Sequence, residues 1–250
     1  MNYVCKYDRN FAAISDSVRA DSHRHWLLQM FLGFEKELNI EVDGKLIICN
    51  AIIVNMNTLH KFNTDEKIHF TMLINPTSEM GRVVRGMLKD QSFYVFPYEE
   101  TVVMQQNFKN ALLQRNHNAI LSFIQSINSK FASRNTASFD ERIVEVLSCL
   151  NDCLHEDEFH QIKYLSQKIC LSESRLAHLF KEETGIPLKS YIVLHKLQSA
   201  YELIFKGENI TAAALHAGFD SPSHLAYTNK IMTGMSTTNI IRDSEFLKVF

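Results

Sequence analysis

Ser172, Glu173, Ser174, Arg175, His178 and Lys181 crowd hydrogen-bond donors and acceptors into one ten-residue stretch. Leu176, Leu179 and Phe180 run through the same stretch at spacings of three and four, so a helix here turns its apolar residues inward and the polar set outward. Such a set is suited to recognition. Base pairs present distinct donor and acceptor patterns in the major groove, and a single helix is slim enough to enter it. For catalysis, no nucleophile–base pair, phosphate-cradling loop or pair of carboxylates has persuasive spacing. The chain is read as a non-enzyme.

The flanking residues position that helix. Ser172 is a good N-cap, because its hydroxyl accepts a free backbone N–H of the first turn, and Gly185 stands where a helix stops. Ile162, Leu165 and Ile169 predict a short helix before it, with Cys170-Leu171-Ser172 as the break between the two. Two short helices around a tight turn make a helix-turn-helix. The pattern returns about 50 residues on, a spacing typical of internal repeats. Ile210, Ala213, Ala214 and Leu215 form the first helix, with Asn209 and Thr211 as candidate caps, and Ala217-Gly218-Phe219 the turn. Ser221-Pro222-Ser223 opens the second helix, with Pro222 suited to the first turn. Ser221, Ser223, His224, Tyr227 and Thr228 are expected to face outward there, and His216 and His224 flank the turn. A long helix from Lys189 to Phe205 separates the two units.

The first half reads as β structure. Leu38, Ile40 and Val42 alternate with Asn39 and Glu41, Asp43-Gly44 signals a hairpin, and residues 45–49, 51–54 and 68–74 are further short β-branched runs. From Thr101 to Phe131 apolar residues recur at helical spacing, with a break at residues 114–118, and residues 133–138 read as a linker. The fold class is therefore α+β. No apolar run reaches the ~18 residues of a membrane span, and the N-terminus lacks a signal-peptide core, so a cytoplasmic location with no membrane partner is expected. Five cysteines do not suggest a disulfide framework, and Cys149 and Cys153 are read as small core thiols. Net charge is −2, but residues 161–250 carry 10 Lys and Arg against 8 Asp and Glu, which permits nucleic-acid binding there without arguing for it.

The ordered residues Leu165-Ser166, Leu171-Ser172-Glu173-Ser174-Arg175-Leu176, Phe180-Lys181, Gly185-Ile186-Pro187, Tyr191, Ala200, Leu203, Ile210 and Ala217-Gly218-Phe219-Asp220-Ser221-Pro222-Ser223-His224 resemble the AraC/XylS family of transcription regulators. The resemblance covers about residues 160–240. It implies two helix-turn-helix units on one linking helix, reading successive major-groove segments of double-stranded DNA. The chain departs from the family at Lys196, where Arg is usual, and at residues 225–230, where Asn229 takes the place of a core Phe and would bury a polar amide. The first unit is therefore expected to carry most base-specific contact.

The N-terminal half is similar to the family's cupin-like β-barrel sensor at His23-x-His25, residues 31–35, Val42-Asp43-Gly44 and Leu59-His60-Lys61-Phe62. In metal-binding cupins an HxH pair, a carboxylate and a later His hold an ion. Here His23, His25 and His60 fit that outline, but Gln29 stands where the carboxylate would be, and an amide is a poor ligand for a hard divalent ion. Neither a metal nor another cofactor is expected. The resemblance implies instead an effector pocket of His23, His25, Trp26, Phe31, His60 and Phe62, with Phe34 and Phe70 as further candidates. It divides the chain into a sensor at 1–100, a helical dimerisation segment and linker at 101–138, and a DNA-binding domain at 139–250. A small-molecule effector, RNA polymerase and a second copy of the chain are the implied partners. Two other readings stay open: a metal-binding cupin protein or enzyme with a helical tail, and a protein-interaction module with weakened DNA binding.

Overall fold

The computed structural model describes residues 2–132, 138–152, 161–241 and 244–247. Contacts divide the chain into two units, Met1–Thr136 together with Ile231–Phe250, and Ala137–Lys230.

The first unit is built on two sheets. Its hairpin is the one expected: β5 (Leu38–Val42) and β6 (Lys45–Cys49) pair with Val42 opposite Lys45, and both turn residues, Asp43 (φ 48°) and Gly44 (φ 75°), take the left-handed conformation a two-residue turn requires. With β3 (Arg19–His23) and β8 (His60–Asn63) these strands form the smaller sheet, in the order β3-β8-β5-β6. The larger sheet runs β10 (Phe93–Val95), β7 (Ala51–Val54), β4 (Leu28–Gly33), β9 (His69–Ile74), β2 (Asn10–Ser15), β1 (Asn2–Tyr7) and β11 (Ser244–Leu247). All its pairings are antiparallel except that of β1 with β11.

Side-chain alternation then sets two separate apolar layers. On β4 and β9, Leu28, Met30, Leu32, Phe70, Met72 and Ile74 face three helices, α1 (Glu79–Leu88), α2 (Tyr98–Gln114) and α3 (His117–Ala132). Phe108 of α2 stacks on Phe123 of α3 at 5.0 Å, and Phe70 meets Phe123 at 4.9 Å. Burying each such ring contributes about 1.5–3 kcal/mol. Phe70, a candidate pocket residue from sequence, thus belongs to the helix-facing layer. On the other face, Phe31, Ile52 and Val54 meet Ile40, Val42 and Phe62 of the smaller sheet.

The break at residues 114–118 falls between α2 and α3, where Arg115 ends α2 in the left-handed conformation. The linker expected at 133–138 lies outside the described residues except for Ser138. Helix α1 is not foreseen by a reading of the first hundred residues as β. Ser78 caps it by accepting from Gly81 N at 3.0 Å, and Met80, Val83, Val84 and Leu88 supply its buried stripe.

The second unit is helical: α4 (Glu141–Asp152), α5 (Ile162–Lys168), α6 (Glu173–Thr184), α7 (Leu188–Phe205), α8 (Ile210–His216) and α9 (Pro222–Thr233) as far as Lys230. Cys149 is buried in α4; Cys153 lies outside the described residues. Among the described residues no helix is long and apolar enough to cross a membrane.

Two glycines of α1 respond oppositely to a methyl group. A Cβ on Gly81 would overlap the carbonyl of Asn75, whereas one on Gly86 meets nothing within 4 Å. Gly81→Ala is expected to lower unfolding free energy by about 1–3 kcal/mol, and Gly86→Ala to raise it by about 1 kcal/mol, both measured by urea denaturation.

Candidate functional site

The two helical pairs of the second unit close their turns with the same backbone bonds. Leu171 N donates to Ser166 O (2.9 Å) and Cys170 N to Gln167 O (3.1 Å); Phe219 N donates to Ala214 O (2.9 Å) and Gly218 N to Leu215 O (3.0 Å). The repeat is therefore a shift of 48 residues in the first helix and turn. Cys170 (φ 54°) holds the left-handed position that Gly218 (φ 79°) fills in the second copy. The second turn is one residue longer, so the following helices, α6 and α9, correspond with a shift of 49.

That shift explains the cores. Leu176, Leu179 and Phe180 of α6 are buried, and their counterparts are Leu225, Thr228 and Asn229. Thr228, expected to face outward, is 8% exposed, because it occupies the core position of Leu179. Asn229 is fully buried and satisfied: its Oδ1 accepts from the buried Tyr201 hydroxyl at 2.7 Å. A polar core pair thus replaces the apolar Phe180–Tyr191 contact (5.3 Å) of the first copy. Lys196, the other departure noted in the sequence, donates from Nζ to Gly218 O at 2.6 Å and so ties α7 to the second turn.

The remaining outward residues are where the sequence places them. Glu173, Ser174, Arg175, His178 and Lys181 are exposed on α6, and Ser223, His224 and Tyr227 on α9. Ser172 and Ser221 act as caps: they accept from Arg175 N (3.2 Å) and His224 N (3.1 Å). Gly185 ends α6 in the left-handed conformation. The two turn histidines have acidic partners, His216 with Glu208 (2.9 Å) and His224 with Asp220 (3.0 Å).

In the first unit, His23, His25 and His60 come together, with ring centroids 4.3–5.5 Å apart and all three side chains buried. Gln29 reaches both His25 and His60, and Thr71 accepts from the Gln29 amide. Burial pushes His25 down to about 3, with repulsion from His60 and His23 adding to it, and burial also lowers His60. Phe31 and Phe62 pack together at 4.6 Å deeper in the same layer, and Trp26 is half-buried. His69, which the sequence reading missed, touches the Phe62 ring at 4.8 Å. Its ring nitrogens lie toward the Ser15 and Lys67 backbone without a well-aligned hydrogen bond, and burial pushes it down to about 4. The signal was available: residues 69, 71 and 73 share the face opposite Phe70 and Met72.

Residues 165–243 match the family described as "Helix-turn-helix domain". The chain is similar to the regulatory protein ada of Salmonella typhimurium, 27% identical over 46% of this chain and 33% of that one. It is also similar to the arabinose operon regulatory protein of Escherichia coli, 31% identical over 39% of this chain and 33% of that one. It therefore spans about a third of the length of the curated relatives it matches. In fold it is similar to ToxT from Vibrio cholerae, with TM-score 0.59 and 13% identity over 94% of this chain and 98% of that one. A ToxT structure bound to an unsaturated fatty acid aligns with TM-score 0.55, at 13% identity, over 94% and 95%. The fold is thus that of a β-rich, cupin-like N-terminal region with a C-terminal helix-turn-helix region.

Two outcomes follow from the buried polar groups. Tyr201→Phe removes the donor to Asn229 and should cost about 1–3 kcal/mol, and most of that loss should return in Tyr201→Phe/Asn229→Phe, read by urea denaturation. For His69 the folded value lies below the unfolded one. The unfolded chain therefore binds more protons between about pH 6.5 and 4, and stability falls as pH falls through that window. His69→Phe should flatten the pH dependence of stability below 6.5, by at most about 1.4 kcal/mol per pH unit, and leave it unchanged above.

Proposed function

We propose that this chain, which resembles the AraC/XylS family of transcription regulators in its helix-turn-helix domain, reads a specific DNA site with both helical pairs and answers to a small-molecule effector. The observation that carries this reading is the repeated pair of capped helices, each with a buried apolar side and an exposed polar side. On α6 the reading set is Glu173, Ser174, Arg175, His178 and Lys181, and on α9 it is Ser223, His224 and Tyr227. The capping serines at 172 and 221 sit beside the groove. Arg175 is the strongest candidate for a base contact, because a guanidinium can bond two guanine acceptors at once. On α9 the corresponding place holds His224, already turned toward Asp220. The first helical pair therefore carries more of the specificity.

Residues 1–100 serve as sensor, 101–138 as dimerisation segment and 139–250 as DNA-binding domain. The effector pocket draws on His23, His25, Trp26, Phe31, His60 and Phe62, with His69 added from the geometry. The fatty acid bound by ToxT supports an apolar effector with a polar head. A homodimer is supported by the exposed Val102, Val103 and Leu113 of α2, apolar groups left on the surface of a helix in the expected segment. RNA polymerase is the partner through which a bound regulator acts.

Genomic fragments selected by the purified protein and sequenced should contain two half-motifs about one helical turn apart. No enriched motif, with or without cell extract as a source of effector, overturns the reading. On the selected site Arg175→Ala should weaken binding by roughly 10-fold or more, the scale of one lost bidentate base contact. Tyr227→Ala should weaken it less, and the reverse order would assign the specificity to α9.

A further inference from the structure

The histidine cluster is built as a set of lone-pair donors around one point. Nδ1 of His23 lies 2.7 Å from Asp21 O, and Nδ1 of His60 lies 2.9 Å from Thr58 O. A carbonyl only accepts, so both Nδ1 atoms carry the proton and both Nε2 atoms carry a lone pair. His25 Nδ1 stands nearer to Leu27 O (3.0 Å) than to Leu27 N (3.3 Å), which assigns it the same tautomer. Nε2 of His25 and of His60 each lie 2.9 Å from Gln29 Oε1, itself an acceptor. Two imidazole lone pairs thus converge on an amide oxygen with no proton between them. Like-signed partial charges in contact within a buried layer are costly unless a cation joins them or the amide turns to donate.

Turning the Gln29 amide would offer its NH2 to both rings. That would forfeit its donation to Thr71 Oγ1 (3.3 Å), whose own hydroxyl is directed at Met30 O (3.1 Å).

We propose that His23, His25 and His60, completed by Gln29 Oε1, form a binding site for a borderline divalent metal ion, zinc by ligand type. One ring nitrogen from each histidine lies within 4.8 Å of the other two, and all three side chains are at most 8% exposed. Zinc–nitrogen bonds of ~2.0–2.1 Å in a tetrahedral set place the nitrogens ~3.4 Å apart, so closing the cluster takes a contraction of up to about 1.4 Å. Backbone carbonyls holding the outer ring nitrogens are the usual support of ligating histidines. Three neutral imidazoles favour zinc, copper, nickel or iron, and one amide oxygen is too little for calcium or magnesium. The inference goes beyond the regulator reading and stands or falls without DNA.

Its test uses the full chain, stripped with a chelator and titrated with zinc and cobalt(II). Trp26, the only tryptophan, follows His25 directly and reports by fluorescence. One equivalent should bind, with cobalt quenching Trp26 and showing visible ligand-field bands. His60→Gln should abolish both signals. Gln29→Glu, which keeps the ligand set and adds a charge, should bind roughly 10-fold tighter, the scale on which polar partners tune metal sites. His117→Gln, on the surface of α3, should bind like the wild type. Absence of binding overturns the proposal, and so does weak binding of several equivalents that is indifferent to His60→Gln and Gln29→Glu. Circular dichroism checks that His60→Gln is folded; if it is not, the Gln29→Glu comparison decides.

Discussion

The larger sheet of the first unit is covered on both faces, and the arrangement of that unit follows from this one constraint. Helices α1, α2 and α3 take one face and the smaller sheet takes the other. Alternation along β4 and β9 then leaves no freedom about which residues meet which layer. Met30 and Phe70 must go to the helices; Gln29, Phe31, His69 and Thr71 must go between the sheets. A polar cluster inside such a layer is tolerable only with its hydrogen bonds fixed by backbone, and each histidine of the trio has a backbone carbonyl within two residues of it. The chemistry of the cluster is thus a product of register as much as of residue type.

The second unit uses the same local logic twice with different interiors. Identical turn bonds and equal helix lengths reproduce the backbone, while the apolar pair of Leu179 and Phe180 gives way to Thr228 and Asn229. The exchange is viable because Tyr201, from the linking helix, supplies a donor at the point where the amide arrives. Lys196 does comparable work at the turn by holding the Gly218 carbonyl. The departures from the family pattern are therefore connected: both concern polar groups that α7 presents to the second helical pair.

The helix-turn-helix pairs were legible in the sequence because their signals are local. Ser172, Gly185, Asn209, Gly218 and Pro222 each mark a boundary through the conformation or the capping bond of a single residue. Thr228 was misread because its direction depends on one extra residue in the second turn, which only alignment of the two copies in space reveals. The β unit was legible where one face is wet, as at β5 with Leu38, Ile40 and Val42. It was poorly legible at β4, where both faces are buried and no alternation survives. Helix α1 hid for a related reason: its short stripe sits inside a run otherwise read as strands. The three histidines were identifiable as candidates, but the role of Gln29 was not. Its value comes from facing two ring nitrogens supplied by separate parts of the chain.

The pairing of Lys196 with Gly218, together with Arg142 on Asp140, His216 on Glu208 and His224 on Asp220, has a thermodynamic consequence for the helical unit. A cation already paired with a carboxylate displaces few counterions from a polyanion, so Arg142 on Asp140 adds little to the entropy gained when condensed ions leave DNA. On α6 the exposed cationic head groups of the reading side are those of Arg175 and Lys181. A helical unit whose cations are engaged within the protein would draw little of any DNA affinity from released counterions, and more of it from shape and hydrogen bonding.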